Sequence, residues 1–342
     1  VASNDIQSTA LSFAQYAVQS NDPLVQEVIF SLLDIGTAMT DIPFISKATM
    51  VMNGVRWNGN LPSVNWVGLN TVPTGTIGTP SPFQEQAYIL RNNIDVDKYL
   101  IQDVNQIGDV RGTQVAAYLK AVAYDFNYKF IQNDHVTGDS NSFIGLQYRI
   151  NNGSTYGVRS MNKIDANGVV LTLTGLTTAS TKDAGNAFIE YLDQLLWSVD
   201  APNGDGVTLY MNEVLQRRMA TLLRAMGTDG GFAITKDAFD RTVMTYKGAV
   251  IKDIGYKSDQ TTRIITNTEN ADGTAGSSSY TSVYAVNFST DHFCGWQFEP
   301  LQAHDLGLLN DGVLYRTVID WAGGLINFSD RSIGRLYDIK MS

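Results

Sequence analysis

MVMNGVRWNGNLPSVNWVGLNTVPTGTIGTPSPF, residues 50–83, is the stretch whose reading decides the fold. Four of the chain's eight prolines (Pro62, Pro73, Pro80, Pro82) and five glycines (Gly54, Gly59, Gly68, Gly75, Gly78) fall between positions 51 and 82, so this is not a core segment. Strand-like runs flank it, Met50 to Trp57 going out and Phe83 to Leu100 coming back. In the second run Ile94, Val96 and Leu100 alternate with Asn93, Asp95, Asp97 and Tyr99. The pattern predicts a long β-hairpin with arms of roughly 15 to 18 residues, about 50 Å at about 3.3 Å per residue. That exceeds what one lobe of this size can cover, so the hairpin needs a packing partner outside its own chain. Trp57 and Trp66 sit where a loop tip offers large aromatics no intrachain core, which points to anchoring between subunits. Arg56, Trp57, Trp66, Leu69, Phe83 and Arg91 are the candidate intersubunit contacts.

On the N-terminal side, residues 1–45 mix apolar clusters (Val25, Val28, Ile29, Leu32, Leu33) with breaks at Asp22-Pro23 and Asp41-Ile42-Pro43, as in an extended arm carrying a short amphipathic helix. On the C-terminal side, Val115, Leu119, Val122, Phe126 and Phe130 form one stripe of a helix predicted over 109–132, with Asp109 as its cap and Gly138 beyond its end. Strands are expected at Phe143 to Ile150 and Gly168 to Leu173, and helices at Ala184 to Val199 and Asn212 to Met226. Further strands are expected at Val243 to Ile251, Tyr280 to Phe288 and Val313 to Ile319, the last third being joined by polar loops such as 267–279. The class is α+β, without the regular alternation of a parallel α/β fold, and no internal repeat is visible.

The 342 residues suggest about two or three lobes. Apolar residues make up 44% and charged residues only 17%, a profile that fits a surface much of which meets other protein. The net charge of −10 argues against direct phosphate neutralisation. No run of 18 or more apolar residues occurs, and Val1-Ala2-Ser3-Asn4-Asp5 has neither a basic end nor an apolar segment, so neither a membrane helix nor a signal peptide is expected. Cys294 is the only cysteine and the three histidines are scattered, so no disulfide framework, metal or cofactor is expected.

Each enzymatic lead is weaker than its bland counterpart. Asp95 and Asp97 share a strand face and read as solvated carboxylates. Asn267, Asn270 and Asp272-Gly273 faintly resemble a calcium loop, but Ser279 stands where a bidentate Glu belongs. Gly75 to Gly78 lacks the Lys-Ser/Thr of a phosphate loop. Cys294, near His292, reads as a buried inert thiol, and His135 and His304 have no partner beside them in sequence.

The order of these elements resembles the major capsid protein family of tailed bacteriophages, the Hong Kong 97-type fold shared with encapsulin shells. Six short motifs carry the likeness over nearly the whole chain. They are Asn53-Gly54 leading to Trp57, Leu69-Asn70 opening the Gly/Pro/Thr-rich tip, Gly138-Asp139 through Phe143-Ile144-Gly145-Leu146, Leu209-Tyr210-Met211-Asn212, Tyr246 to Ile251, and Ser332-Ile333-Gly334-Arg335-Leu336. Val250 replaces a proline frequent in the family. The resemblance implies an N-terminal arm (1–47), an extended E-loop (48–92), a P-domain (93–180) with a spine helix (109–132), an A-domain (181–305) and return strands of the P-domain (306–342). It implies a non-enzymatic shell subunit that tiles hexons and pentons and encloses double-stranded DNA without sequence-specific binding. Portal and scaffolding proteins and a decoration protein are the partners it suggests, with assembly in the bacterial cytoplasm and no membrane. Some relatives crosslink through an E-loop lysine; here no lysine lies between Lys47 and Lys98, so that chemistry is not expected. An encapsulin-type nanocompartment stays open as an alternative, as does, more remotely, a carbohydrate-active or tail-associated phage protein.

Overall fold

The computed structural model describes residues 37–57, 61–102, 110–171, 179–226, 232–236 and 242–341. In chain order, helix α1 (Thr37–Asp41) and strand β1 (Phe44–Ser46) precede the pair β2 (Val51–Arg56) and β3 (Ser81–Gln86). Then come β4 (Tyr88–Asp97), α2 (Lys98–Gln102) and the long helix α3 (Val110–Gln132). Short helices α4 (Leu146–Asn151) and α5 (Gly153–Tyr156) lead through β5 (Lys163–Asp165) to α6 (Ala179–Ser198), β6 (Val207–Met211) and α7 (Glu213–Met226). The remainder is β7 (Phe232–Lys236), β8 (Thr242–Tyr246), β9 (Ala249–Lys252), β10 (Tyr280–Asn287), β11 (Phe293–Leu308), β12 (Leu314–Asn327) and β13 (Ile333–Lys340). The strands make a four-stranded sheet in the order β1-β11-β12-β4, a seven-stranded sheet in the order β5-β13-β10-β6-β9-β8-β7, and the separate pair β2-β3.

Helix α3 spans 23 residues, about 35 Å at 1.5 Å per residue. Its predicted stripe is the buried one: Val115, Leu119, Val122, Phe126 and Phe130 all enter the core, at helical spacing. They pack on Ile319, Trp321 and Leu325 of β12, with Phe126 and Trp321 edge to face at 6.1 Å. Each such side chain contributes about 1.5–3 kcal/mol by leaving water.

The seven-stranded sheet is buried on both faces near its centre. Val207, Leu209 and Met211 of β6 and Val283 and Ala285 of β10 face Phe188, Leu192 and Leu195 of α6 and Leu215 and Met219 of α7. The alternate residues Tyr210, Tyr284 and Val286 join the α3 core instead, where Phe130 meets Tyr210 at 5.7 Å. One sheet thus divides two apolar cores, which is why these strands read as continuous apolar runs. Asp41 at the end of α1 accepts a hydrogen bond from the Tyr210 hydroxyl at 2.7 Å and pairs with Lys252, tying α1 to this sheet.

Several expectations from the sequence need correction. Phe83 to Leu100 is not one hairpin arm. Six-residue β3 pairs with β2, while ten-residue β4 pairs along its whole length with Leu314–Gly323 of β12. Buried Ala87 lies at the change of partner. Alternation along one strand reports which face is buried, not which strand lies alongside, so the change left no trace. Phe143 to Ile150 is a loop followed by α4, and of Gly168 to Leu173 only Val170 forms a bridge among the described residues. Val243 to Ile251 is a hairpin: Lys247 and Gly248, both at positive φ, reverse the chain between β8 and β9. The helices at 109–132, 184–199 and 212–226 are present as α3, α6 and α7, and strand 313–319 extends to Asn327. The proposed cap Asp109 lies outside the described residues.

Candidate assembly surface

The root of the hairpin is built from charge and shape. Gly54 stands directly opposite Phe83 in the β2-β3 ladder, and the Phe83 ring occupies the space that a Cβ at 54 would need. The Arg56 guanidinium lies over that ring at 3.6 Å, and Phe328 meets the ring edge to face at 6.1 Å. Nε and Nη2 of Arg56 donate to the carbonyl of Asn327 at 3.0 and 2.6 Å. Burial pulls the Arg56 pKa down to about 10 against the opposing pull of Glu85, so the group stays cationic at neutral pH. Gly157, at φ +67°, leaves room for this guanidinium. One strand over, Glu85 takes a bidentate pair from Arg149 at 2.6 and 3.1 Å, and Arg149 also donates to the carbonyls of Ile144 and Leu325. The root is thereby pinned to β12 and to α4. Gly54→Val forces the Phe83 ring out of this stack; we expect it to cost about 1–3 kcal/mol, read as a lower denaturant midpoint with unchanged slope.

Beyond the root, residues 57 and 61–80 carry no regular secondary structure. A turn at Gly68 to Thr71, with Asn70 at φ +67°, closes the end. Side chains tie the two limbs in place of a ladder: Asn65 Nδ2 donates to Thr74 O at 3.1 Å and Thr76 Oγ1 to Ser63 O at 2.7 Å. The limbs hold apolar side chains in water. Trp66 is 97% exposed, Leu69 96%, Ile77 93% and Val72 89%. No charged residue occurs between Arg56 and Glu85. An apolar, uncharged projection of this length, hydrogen-bonded into shape, is the surface pattern of a contact with other protein.

The six contact candidates read from the sequence divide by position. Trp66 and Leu69 lie on the exposed tip and half-exposed Trp57 at its start, whereas Arg56 and Phe83 are engaged within their own chain at the root. Arg91 lies apart, on β4, paired with Asp320 at 2.5 Å. Sequence reasoning missed Val64, Val72 and Ile77, although the absence of charge across the run was a usable signal. It also missed Arg149, whose partners come from β3, β12 and the loop before α4. Elsewhere, Cys294 is fully buried in β11, and burial raises its thiol to about 12. Asp95 pairs with Arg316 at 2.6 Å, and Asp97 accepts the backbone N–H of Tyr99. Among the described residues no group of three His, Cys, Asp or Glu side chains could hold a metal, and no helix is long and apolar enough to cross a membrane.

No protein-family model matches the chain, and no curated protein matches it in sequence. Solved structures do match. The SrpI encapsulin of Synechococcus elongatus PCC 7942 superposes with a TM-score of 0.56 at 10% identity, over 87% of this chain and 85% of that one. The capsid of a native GTA particle gives 0.51 at 11% identity, over 90% and 89%. The capsid of cyanophage A-1(L) gives 0.50 at 11% identity, over 86% and 90%. The chain has the α+β Hong Kong 97-type fold.

Proposed function

We propose that the chain is the major capsid protein of a tailed bacteriophage, a structural subunit that self-assembles into an icosahedral head around double-stranded DNA. The observation that carries this reading is the uncharged apolar projection at 57–80, rooted by paired charges on a body of this fold and left exposed, without a packing partner among the described residues. In a closed assembly of identical subunits such a projection is covered by the next copy, and each copy both gives and receives the contact. Hexons and pentons supply the rings. In this reading the arm is 1–47 and the P-domain 93–180 with its spine at α3, followed by the A-domain (181–305) and the return strands (306–342). The E-loop is 48–92, its β2-β3 pairing ending at Ala87, where the chain changes partner. Trp57, Trp66 and Leu69 make the intersubunit contact, while Arg56 and Phe83 hold its root. Portal and scaffolding proteins complete the head, and the acidic chain encloses DNA without reading it.

A second reading, a nanocompartment shell, draws on the encapsulin likeness. The two part on contents. Particles purified from the native source hold nuclease-protected double-stranded DNA if the first reading is right, and a packaged protein without genomic DNA if the second is. A protein that stays monomeric by light scattering at high concentration, with no particles in electron micrographs, would sink both. Denaturing electrophoresis of particles should show one band at the subunit mass, since the tip has no lysine and Cys294 is buried; a ladder resistant to reductant would contradict this.

A further inference from the structure

If the projection seats on a neighbour, the neighbour must offer a seat. One concavity on the body has the matching chemistry. Between α3 and the four-stranded sheet lies a pocket of about 160 Å³ walled by Leu90, Val122, Phe126, Leu301 and Trp321. Its mouth is polar, with Asp125, Lys129 and Asp139 at the rim. Lys129 pairs with both carboxylates at 2.8 Å, which leaves each carboxylate spare lone pairs, and both are more than 40% exposed. A void of about 150 Å³ suffices for one benzene ring. An occupant matched to both parts is therefore a large apolar group with a single hydrogen-bond donor at its outer edge. Leucine, valine and isoleucine lack the donor. Trp57 and Trp66 both have these features, since an indole N–H needs an acceptor once desolvated, but Trp57 is only 52% exposed and sits at the root, whereas Trp66 is 97% exposed and stands clear of its own chain. The seat also suits an uncharged segment, because its own charges are already paired.

We propose that this pocket receives the Trp66 side chain of a second copy, the benzo ring on Phe126 and Trp321 and the indole N–H at the Asp125 and Asp139 carboxylates. The assignment rests on the assembly reading above and names its receiving surface.

The test uses the full chain with p-benzoylphenylalanine introduced at Ile89, an exposed residue on the pocket wall. Particles are grown from mixed unlabelled and nitrogen-15 chains, irradiated, digested and analysed by mass spectrometry. The expected product joins the Ile89 peptide to the Trp66 peptide, with mixed isotopic pairs showing that two copies are joined. In parallel, Trp66→Ala raises the concentration needed for assembly about 30-fold, as for a central anchor, and Leu69→Ala less than about 5-fold. Crosslinks from Ile89 to residues 1–36 or to another body surface overturn the assignment, as does equal loss from both alanine variants. If particles also form normally once Trp57–Pro80 is replaced by a tight turn, the assembly reading itself has failed. If that replacement blocks particles while the crosslinks map elsewhere, only the seat is wrong.

Discussion

Replacing Trp57–Pro80 with Asn-Gly yields a subunit that folds normally and builds no shells. The register dictates the design. Arg56 faces Ser81 at the last pair of the β2-β3 ladder, so two residues favouring positive φ close the hairpin there in a type I′ turn. None of the buried apolar residues of the three cores lies in the removed segment, so hydrophobic burial is untouched. The root keeps its stack of Arg56 on Phe83 and its Glu85–Arg149 pair. Far-ultraviolet circular dichroism and the thermal midpoint should therefore stay close to wild type. Assembly should not survive. A clasp of this length covers on the order of 1,000 Å² on a neighbour, and each subunit in a closed lattice is held through several such contacts at once. Sedimentation should show free subunits or small oligomers at concentrations where wild type forms particles. Loss of native secondary structure would place the segment in the core instead, and normal particles would show that it clasps nothing.

How much of this could be read from the sequence follows from what a local pattern can encode. The stripe of α3 was legible because five apolar residues at helical spacing all enter one core. The tip was legible because Gly, Pro and exposed Trp are incompatible with a core. The root was not. Arg56, Phe83, Glu85, Arg149 and Asn327 come from four separate parts of the chain, and nothing near any one of them announces the others. Arg56 attracted notice within the Asn-Gly-x-Arg-Trp run and Phe83 as the start of the returning run, yet their partners lie within the subunit. Strand β10 was expected at Tyr280 to Phe288, whereas β6 was not, because a short run buried on both faces has no alternation to tell a strand from a buried helix segment. The closing Ser332 to Leu336 motif was noticed as a pattern, but not for the reason its arginine is there.

That reason is a buried ion pair, and breaking it should cost more stability than the Gly54→Val change at the hairpin root. Arg335 is fully buried in β13 and donates to Glu269 Oε2 at 3.2 Å, to the Gly273 carbonyl at 2.6 Å and to the Ser282 hydroxyl. Glu269 is 4% exposed. Together they fasten the 267–279 segment, read from the sequence as a simple polar loop, onto the seven-stranded sheet. Arg335→Met keeps much of the stem volume and strands a carboxylate with no counter-charge; the expected cost is about 3–5 kcal/mol, seen as a fall in denaturant midpoint. Burial raises the Glu269 pKa above its ordinary 4.5, and Arg335 is the main restraint on that rise. Removing Arg335 lifts it further. A carboxyl whose folded pKa exceeds its unfolded one stabilises the fold below the unfolded value and loses that contribution as pH rises through the folded value. The variant's deficit should accordingly be largest at neutral pH and shrink as the solution is acidified toward the ordinary carboxylate range. Glu269→Gln added to Arg335→Met removes the stranded charge, so the double variant should be more stable at neutral pH than Arg335→Met alone, with a weaker pH dependence. A deficit that is the same at every pH, or a double variant no better than the single, would show that packing around Arg335 and not its charge holds this segment down.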